Sequence, residues 1–159
     1  MKKTLLIVAF FSCMTTATAQ KYVGGDISLL TKYEEAGVVY KDKDGNDVQP
    51  LTFFKEQGLN AMRVRLFVDP SLDNDKAVCQ DLDYVKALGK RIKEAGHKFM
   101  LDFHYSDTWA DPSNQKTPAA WADLPVYELA SKLEEHTKET LQLLKANGVE
   151  VEWVQVGNE

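Results

Sequence analysis

The chain has 159 residues, 44% of them hydrophobic, and a formal net charge of -5. That acidic balance argues against nucleic acid or an anionic membrane as the partner and suits a neutral or basic ligand. With only two cysteines the sequence cannot be a disulfide-stapled scaffold, so an apolar core must hold the fold.

The chain opens on Met1-Lys2-Lys3 and an apolar run from Thr4 to Met14 that is too short to span a bilayer. Ala17-Thr18-Ala19 supplies a small-x-small cleavage site. Residues 1–19 therefore read as a secretory leader removed before Gln20, which sends the protein to the periplasm, the cell surface or the medium. Phe10-Phe11-Ser12-Cys13 offers a weaker lipoprotein-type alternative, because it lacks the usual leucine and paired small residues before the cysteine. Removal of the leader takes Lys2, Lys3 and Cys13 with it; Cys79 is then alone, and the remainder is more acidic still.

Four stretches carry a helix into glycine: Glu35-Ala36-Gly37, Glu56-Gln57-Gly58, Glu94-Ala95-Gly96 and Ala146-Asn147-Gly148. Glycine most easily takes the left-handed conformation that closes a helix. Apolar strand-like runs follow three of them, and the first leads instead into Val38 to Gln49, where Asp44-Gly45-Asn46 reads as a hairpin tip. Strands are expected over Tyr22 to Ser28, Leu59 to Val68, Lys98 to Phe103 and Glu150 to Gly157. Leu82, Val85, Leu88, Ile92 and Ala95 recur at helical spacing behind Asp81, and Leu129, Leu133, Leu141 and Leu144 mark a longer helix.

Alternation of strand and helix argues for a parallel sheet, because parallel neighbours need a crossover. Asp26, Arg65, His104 and Glu159 all fall at the C-terminal ends of the expected strands, the face where barrel enzymes keep their chemistry. Gly24-Gly25-Asp26 does not match the phosphate-binding fingerprint of an open doubly wound sheet. The fold class is therefore α/β, with residues 20–159 expected to be the first four strand-helix units of a (β/α)8 barrel, truncated at Glu159.

Several of these residues have the right chemistry for a site. Glu159, behind Asn158 at the end of a valine-rich strand, suits a general acid whose raised pKa keeps it protonated until it meets a leaving oxygen. Arg63 and Arg65 share one face of their strand. A guanidinium there can hold a carboxylate through two parallel hydrogen bonds. Arg65, nearer the strand end, is the better substrate contact, whereas an ion pair within the barrel suits Arg63 equally well. His104, beside Asp102 and Tyr105, can bond a hydroxyl; His97 and His136 are not at metal-motif spacing from it, so no metal is assigned. Trp109 and Trp121 lie in a polar loop where an exposed indole suits the apolar face of a sugar ring, although plain packing serves Trp121 as well.

Five segments together resemble glycoside hydrolase family 53, the arabinogalactan endo-β-1,4-galactanases. They are Gly25-Asp26-Ile27-Ser28, Asn60 to Pro70 (NAMRVRLFVDP), Leu101 to Pro112 (LDFHYSDTWADP), Gln115 to Trp121 (QKTPAAW) and Gln155 to Glu159 (QVGNE). The resemblance implies a retaining hydrolase that cuts internal β-1,4 bonds in galactan side chains of pectin. It makes Glu159 the acid/base and gives Asn158 a hold on the sugar in the cleaved subsite. Asp26, Arg65, His104, Asp107 and Trp109 would line the cleft. By the same resemblance the family's nucleophile, a glutamate on strand seven, and its calcium site, where present, would lie beyond these residues, in the C-terminal half of the barrel, so these residues alone are expected to be inactive and to hold no cofactor. A galactan-binding protein without catalysis, and a related hydrolase acting on mannan or cellulose, are the alternatives.

Overall fold

A computed structural model of the protein describes residues 21–73 and 75–158. The leader expected over residues 1–19 and the acid expected at Glu159 lie outside the described residues. Strand β1 (Gly24–Asp26) is followed by helices α1 (Leu30–Glu35) and α2 (Pro50–Glu56), then β2 (Ala61–Leu66), α3 (Leu82–Glu94), β3 (Lys98–Phe103), α4 (Val126–Ala146) and β4 (Trp153–Val156). The four strands form one parallel sheet in the order β1-β2-β3-β4. Each strand therefore lies beside its successor in sequence, as in four consecutive units of a (β/α)8 barrel.

All four punctuating glycines have positive φ, at 82° for Gly37, 90° for Gly58, 75° for Gly96 and 79° for Gly148. Asp81 caps α3, its carboxylate accepting the Tyr84 N–H at 2.8 Å. The hairpin after α1 closes on an antiparallel bridge between Lys41 and Asp47, with Gly45 at φ 86°.

Three strands are shorter than their apolar runs. Beyond β1 the backbone still bonds to β2, Ile27 N donating to Arg63 O at 3.0 Å, but it then turns into α1. Gly157, at φ 86°, ends β4. A second difference lies in α4, where Leu144 is buried but Leu133 is exposed and Leu129 only half-buried. The helical spacing is as expected, yet the first half of that helix is only partly covered, chiefly by Trp121 against His136.

Alternation sorts the strands into two chemically distinct faces. Met62, Val64, Leu66, Phe99, Leu101 and Phe103 point outward and are buried in one core with Val85, Leu88 and Ile92 of α3. The opposite face, which would line a barrel interior, carries Asp26, Arg63, Arg65, Met100, Asp102, Trp153 and Gln155.

Helix α3 approaches the sheet closely because it carries a glycine. A Cβ on Gly89 would stand 2.6 Å from Val149 Cγ1 and 3.3 Å from Phe99 Cε1. On an open helix, glycine to alanine gains ~1 kcal/mol. At this site Gly89→Ala is expected instead to lose about 1–3 kcal/mol through overpacking, read from the urea midpoint, and Val149→Ala in the same chain should restore part of it. A gain in stability from Gly89→Ala alone would refute the close packing.

Candidate active site

The site is built from polar side chains that the inner face of the sheet brings together. Arg63 is its hub. Its Nη1 donates to Asp26 Oδ2 at 2.5 Å, and its Nε donates to Gln155 Oε1 at 3.1 Å. Its Nη2 donates both to Asp102 Oδ2, in a short ion pair, and to Asn158 Oδ1 at 3.0 Å. The guanidinium thus fans across three neighbouring strands instead of clamping one carboxylate with two parallel bonds.

Asp26 also accepts the Ser28 N–H through Oδ1 at 2.9 Å, which orients the carboxylate at the end of β1. Arg65 lies 3.9 Å from the same oxygen, and its guanidinium carbon sits 5.0 Å from the centre of the Trp109 ring. A cation over an indole face is favourable, more so when desolvated. Two arginines and two aspartates therefore balance on one face of the sheet.

The loop after β3 starts from an unusual backbone. Tyr105, at φ 49°, is the one described non-glycine residue with positive φ. Its ring stacks on Phe103 at 5.1 Å and its hydroxyl meets Thr137 Oγ1 at 2.8 Å. Strain of this kind persists only where surrounding contacts enforce it. His104 is buried between Phe67 and Trp109, with ring centroids 4.5 and 5.2 Å away. Its Nδ1 accepts the Ala110 N–H at 3.3 Å, so the neutral ring carries its proton on Nε2.

Trp109 stays 38% exposed over Arg65 and His104. Trp121 is buried, its ring edge-on to His136 at 5.3 Å. Of the two roles open to Trp121 in the sequence, the structure supports packing. Asp107 accepts the Asp69 N–H at 3.0 Å with one oxygen and the Ala119 N–H at 2.7 Å with the other, tying the loops after β2 and β3 together. Asn158 is buried at the end of β4, and its Nδ2 donates to Ala110 O at 2.5 Å. With Oδ1 on Arg63 and Nδ2 on a carbonyl, the orientation of its amide is settled.

The structure thus gathers Asp26, Arg65, His104, Trp109 and Asn158 in one place and sets Asp107 behind them as a loop clamp. Sequence reasoning under-weighted Arg63 and Asp102 and passed over Gln155. The signal was present: residues two apart on adjacent parallel strands share a face, and Arg63 and Asp102 meet both tests.

Among the described residues no group of three or more His, Cys, Asp or Glu could hold a metal ion, and no helix is long and apolar enough to cross a membrane. Burial pushes the half-buried Cys79 thiol up, which makes it a poor nucleophile.

Residues 22–159 match the profile of Glycosyl hydrolase family 53. A probable arabinogalactan endo-beta-1,4-galactanase A of Aspergillus terreus is 41% identical over 155 residues, which cover 97% of this chain and 43% of that protein. An endo-beta-1,4-galactanase of Bacillus subtilis is 39% identical over 139 residues, 86% of this chain and 32% of its own length. A solved structure from a study of two fungal beta-1,4-galactanases superposes with a TM-score of 0.80 at 38% identity, covering 89% of this chain and 41% of that one. The GH53 catalytic domain of Ignisphaera aggregans gives 0.79 at 35% identity, covering 86% and 39%. The chain spans less than half the length of these relatives. In sequence and in fold the chain belongs to glycosyl hydrolase family 53.

Proposed function

We propose that these residues form the acid/base-bearing part of a retaining endo-β-1,4-galactanase, exported behind the leader at residues 1–19, that acts on the galactan side chains of pectin. The observation that carries the reading is Asn158, buried at the end of β4 with both ends of its amide engaged, directly before Glu159 in the sequence. In this scheme Glu159 protonates the glycosidic oxygen in the first step and removes a proton from water in the second. Asn158, Trp109 and Arg65 hold the sugar.

A retaining reaction also needs a carboxylate nucleophile about 5–5.5 Å from the acid. We assign that role to no residue of this chain, and the 159 residues alone are expected to leave galactan uncut.

Product analysis of the full-length gene product on potato galactan, mannan and a soluble cellulose tests the reading. New reducing ends and internal fragments are expected from galactan alone. Cleavage of mannan or cellulose with galactan untouched would make it a related hydrolase of another specificity. Retention of galactan without cleavage would make it a binding protein.

A further inference from the structure

Asp102 is the most deeply buried charged residue on the inner face, with no exposed surface at all. It touches neither the open cleft nor solvent, and the reaction scheme above gives it no role. Burying a carboxylate costs several kcal/mol unless charge and hydrogen bonds offset it. Its position in the site gives that cost a purpose.

Asp102 Oδ2 receives Arg63 Nη2, and the same Nη2 reaches Asn158 Oδ1. Asn158 Nδ2 reaches Ala110 O, and Ala110 N reaches His104 Nδ1. His104 Nε2 then returns to within 3.2 Å of Asp102 Oδ2. That last approach lies off the hydrogen-bond axis, so His104 Nε2 and Asp102 Oδ1 both remain without a partner. The five residues nonetheless close a ring that runs from β3 through β2 and β4 to the β3 loop and back. Asp102 is the only anion in it, and Arg63 reaches Asn158 with the same nitrogen that Asp102 attracts.

We propose that Asp102 is a positioning residue for catalysis, which acts through Arg63 to hold Asn158, and with it the end of β4 that leads to Glu159, in reactive register. This rests on the galactanase reading above. With the charge of Asp102 removed, Arg63 keeps Asp26 as its carboxylate partner, is drawn towards β1, and releases Asn158 Oδ1. Trp109 does not depend on this path alone: Asn114 Nδ2 donates to its carbonyl at 2.6 Å, and Arg65 supports its ring. Trp109 and Arg65 thus still hold the sugar, and a bond from Asn158 to a sugar hydroxyl strengthens in the transition state, so the expected loss falls mainly on kcat and little on KM.

The test uses the full-length gene product with Asp102→Asn, Asn158→Ala and the pair together. Misplacing a reacting group by about 1 Å can cost ~100-fold, so Asp102→Asn should lower kcat on galactan by about 10- to 100-fold and leave KM within about threefold. If Asp102 acts through Asn158, the double variant should turn over within about threefold of Asn158→Ala alone, because the two losses share one path. Multiplied losses, or an Asp102→Asn enzyme within twofold of the wild-type kcat, would overturn the proposal.

Nitrogen-15 shifts of the His104 ring give a readout that survives failure of the galactanase reading. The proton should sit on Nε2 in the wild type, and a second population protonated on Nδ1 should appear in Asp102→Asn. An unchanged tautomer in a folded variant also counts against Asp102 as organiser of the ring.

Discussion

Replacing Arg63 with methionine in the full-length protein is expected to cost about 3–5 kcal/mol of stability, the usual penalty for removing one partner of a buried ion pair. Arg63 bridges two carboxylates, Asp26 and Asp102, and the two are not equally vulnerable. Asp26 is a third exposed in its side chain and retains Arg65 at 3.9 Å, so solvent and a second cation screen it. Asp102 is fully buried and loses its one cationic partner apart from a histidine that is charged only when protonated. Most of the loss should therefore trace to Asp102. Adding Asp102→Asn to Arg63→Met removes the stranded charge and should recover at least half of the difference, measured by urea unfolding. If Arg63→Met alone costs less than ~1 kcal/mol, the value of a surface ion pair, the inner-face network does not stabilise the fold as argued.

The parts of this molecule that were legible in the sequence are those fixed by local chemistry. Each closing glycine had to sit where only a left-handed residue ends a helix, and Gly37, Gly58, Gly96 and Gly148 all do. Strand β3 occupies the range expected of it, because Lys98 and His104 bracket an apolar run that is buried on its outer face. Tertiary contact decided what remained. Leu129 and Leu133 carry the periodicity of a core face, but a periodic pattern does not say which element covers it.

The same limit applies to the site. The sequence showed that Arg63 and Arg65 share a face, and it could not show that Arg63 would take both carboxylates while Arg65 turned under Trp109. That division depends on register across three strands: Asp26 pairs with Arg63, and Arg65 pairs with Asp102. Side-chain reach then links Arg63 diagonally to Asp102. His104 likewise has the chemistry to bond a hydroxyl, and its Nδ1 instead accepts from the backbone of the loop that carries Trp109.

Substituting glutamine for Glu159 in the full-length protein should slow the cutting of natural galactan at least ~100-fold, the lower end of what general acid catalysis contributes. Glutamine keeps the size and the hydrogen bonding of the side chain but has no proton to transfer, so the loss reports chemistry and not packing. An aryl galactoside with a good leaving group needs little protonation, and its first step should survive far better than that of the polymer. Its second step still needs a base to activate water, so the glycosyl-enzyme should accumulate. Azide attacks such an intermediate without a general base. Added azide should therefore speed turnover of the aryl substrate and give a β-galactosyl azide, because two inversions restore the starting configuration. Polymer cleavage by Glu159→Gln at close to the wild-type rate would remove Glu159 as the acid, and an α-azide as sole product would show that no covalent intermediate precedes the attack.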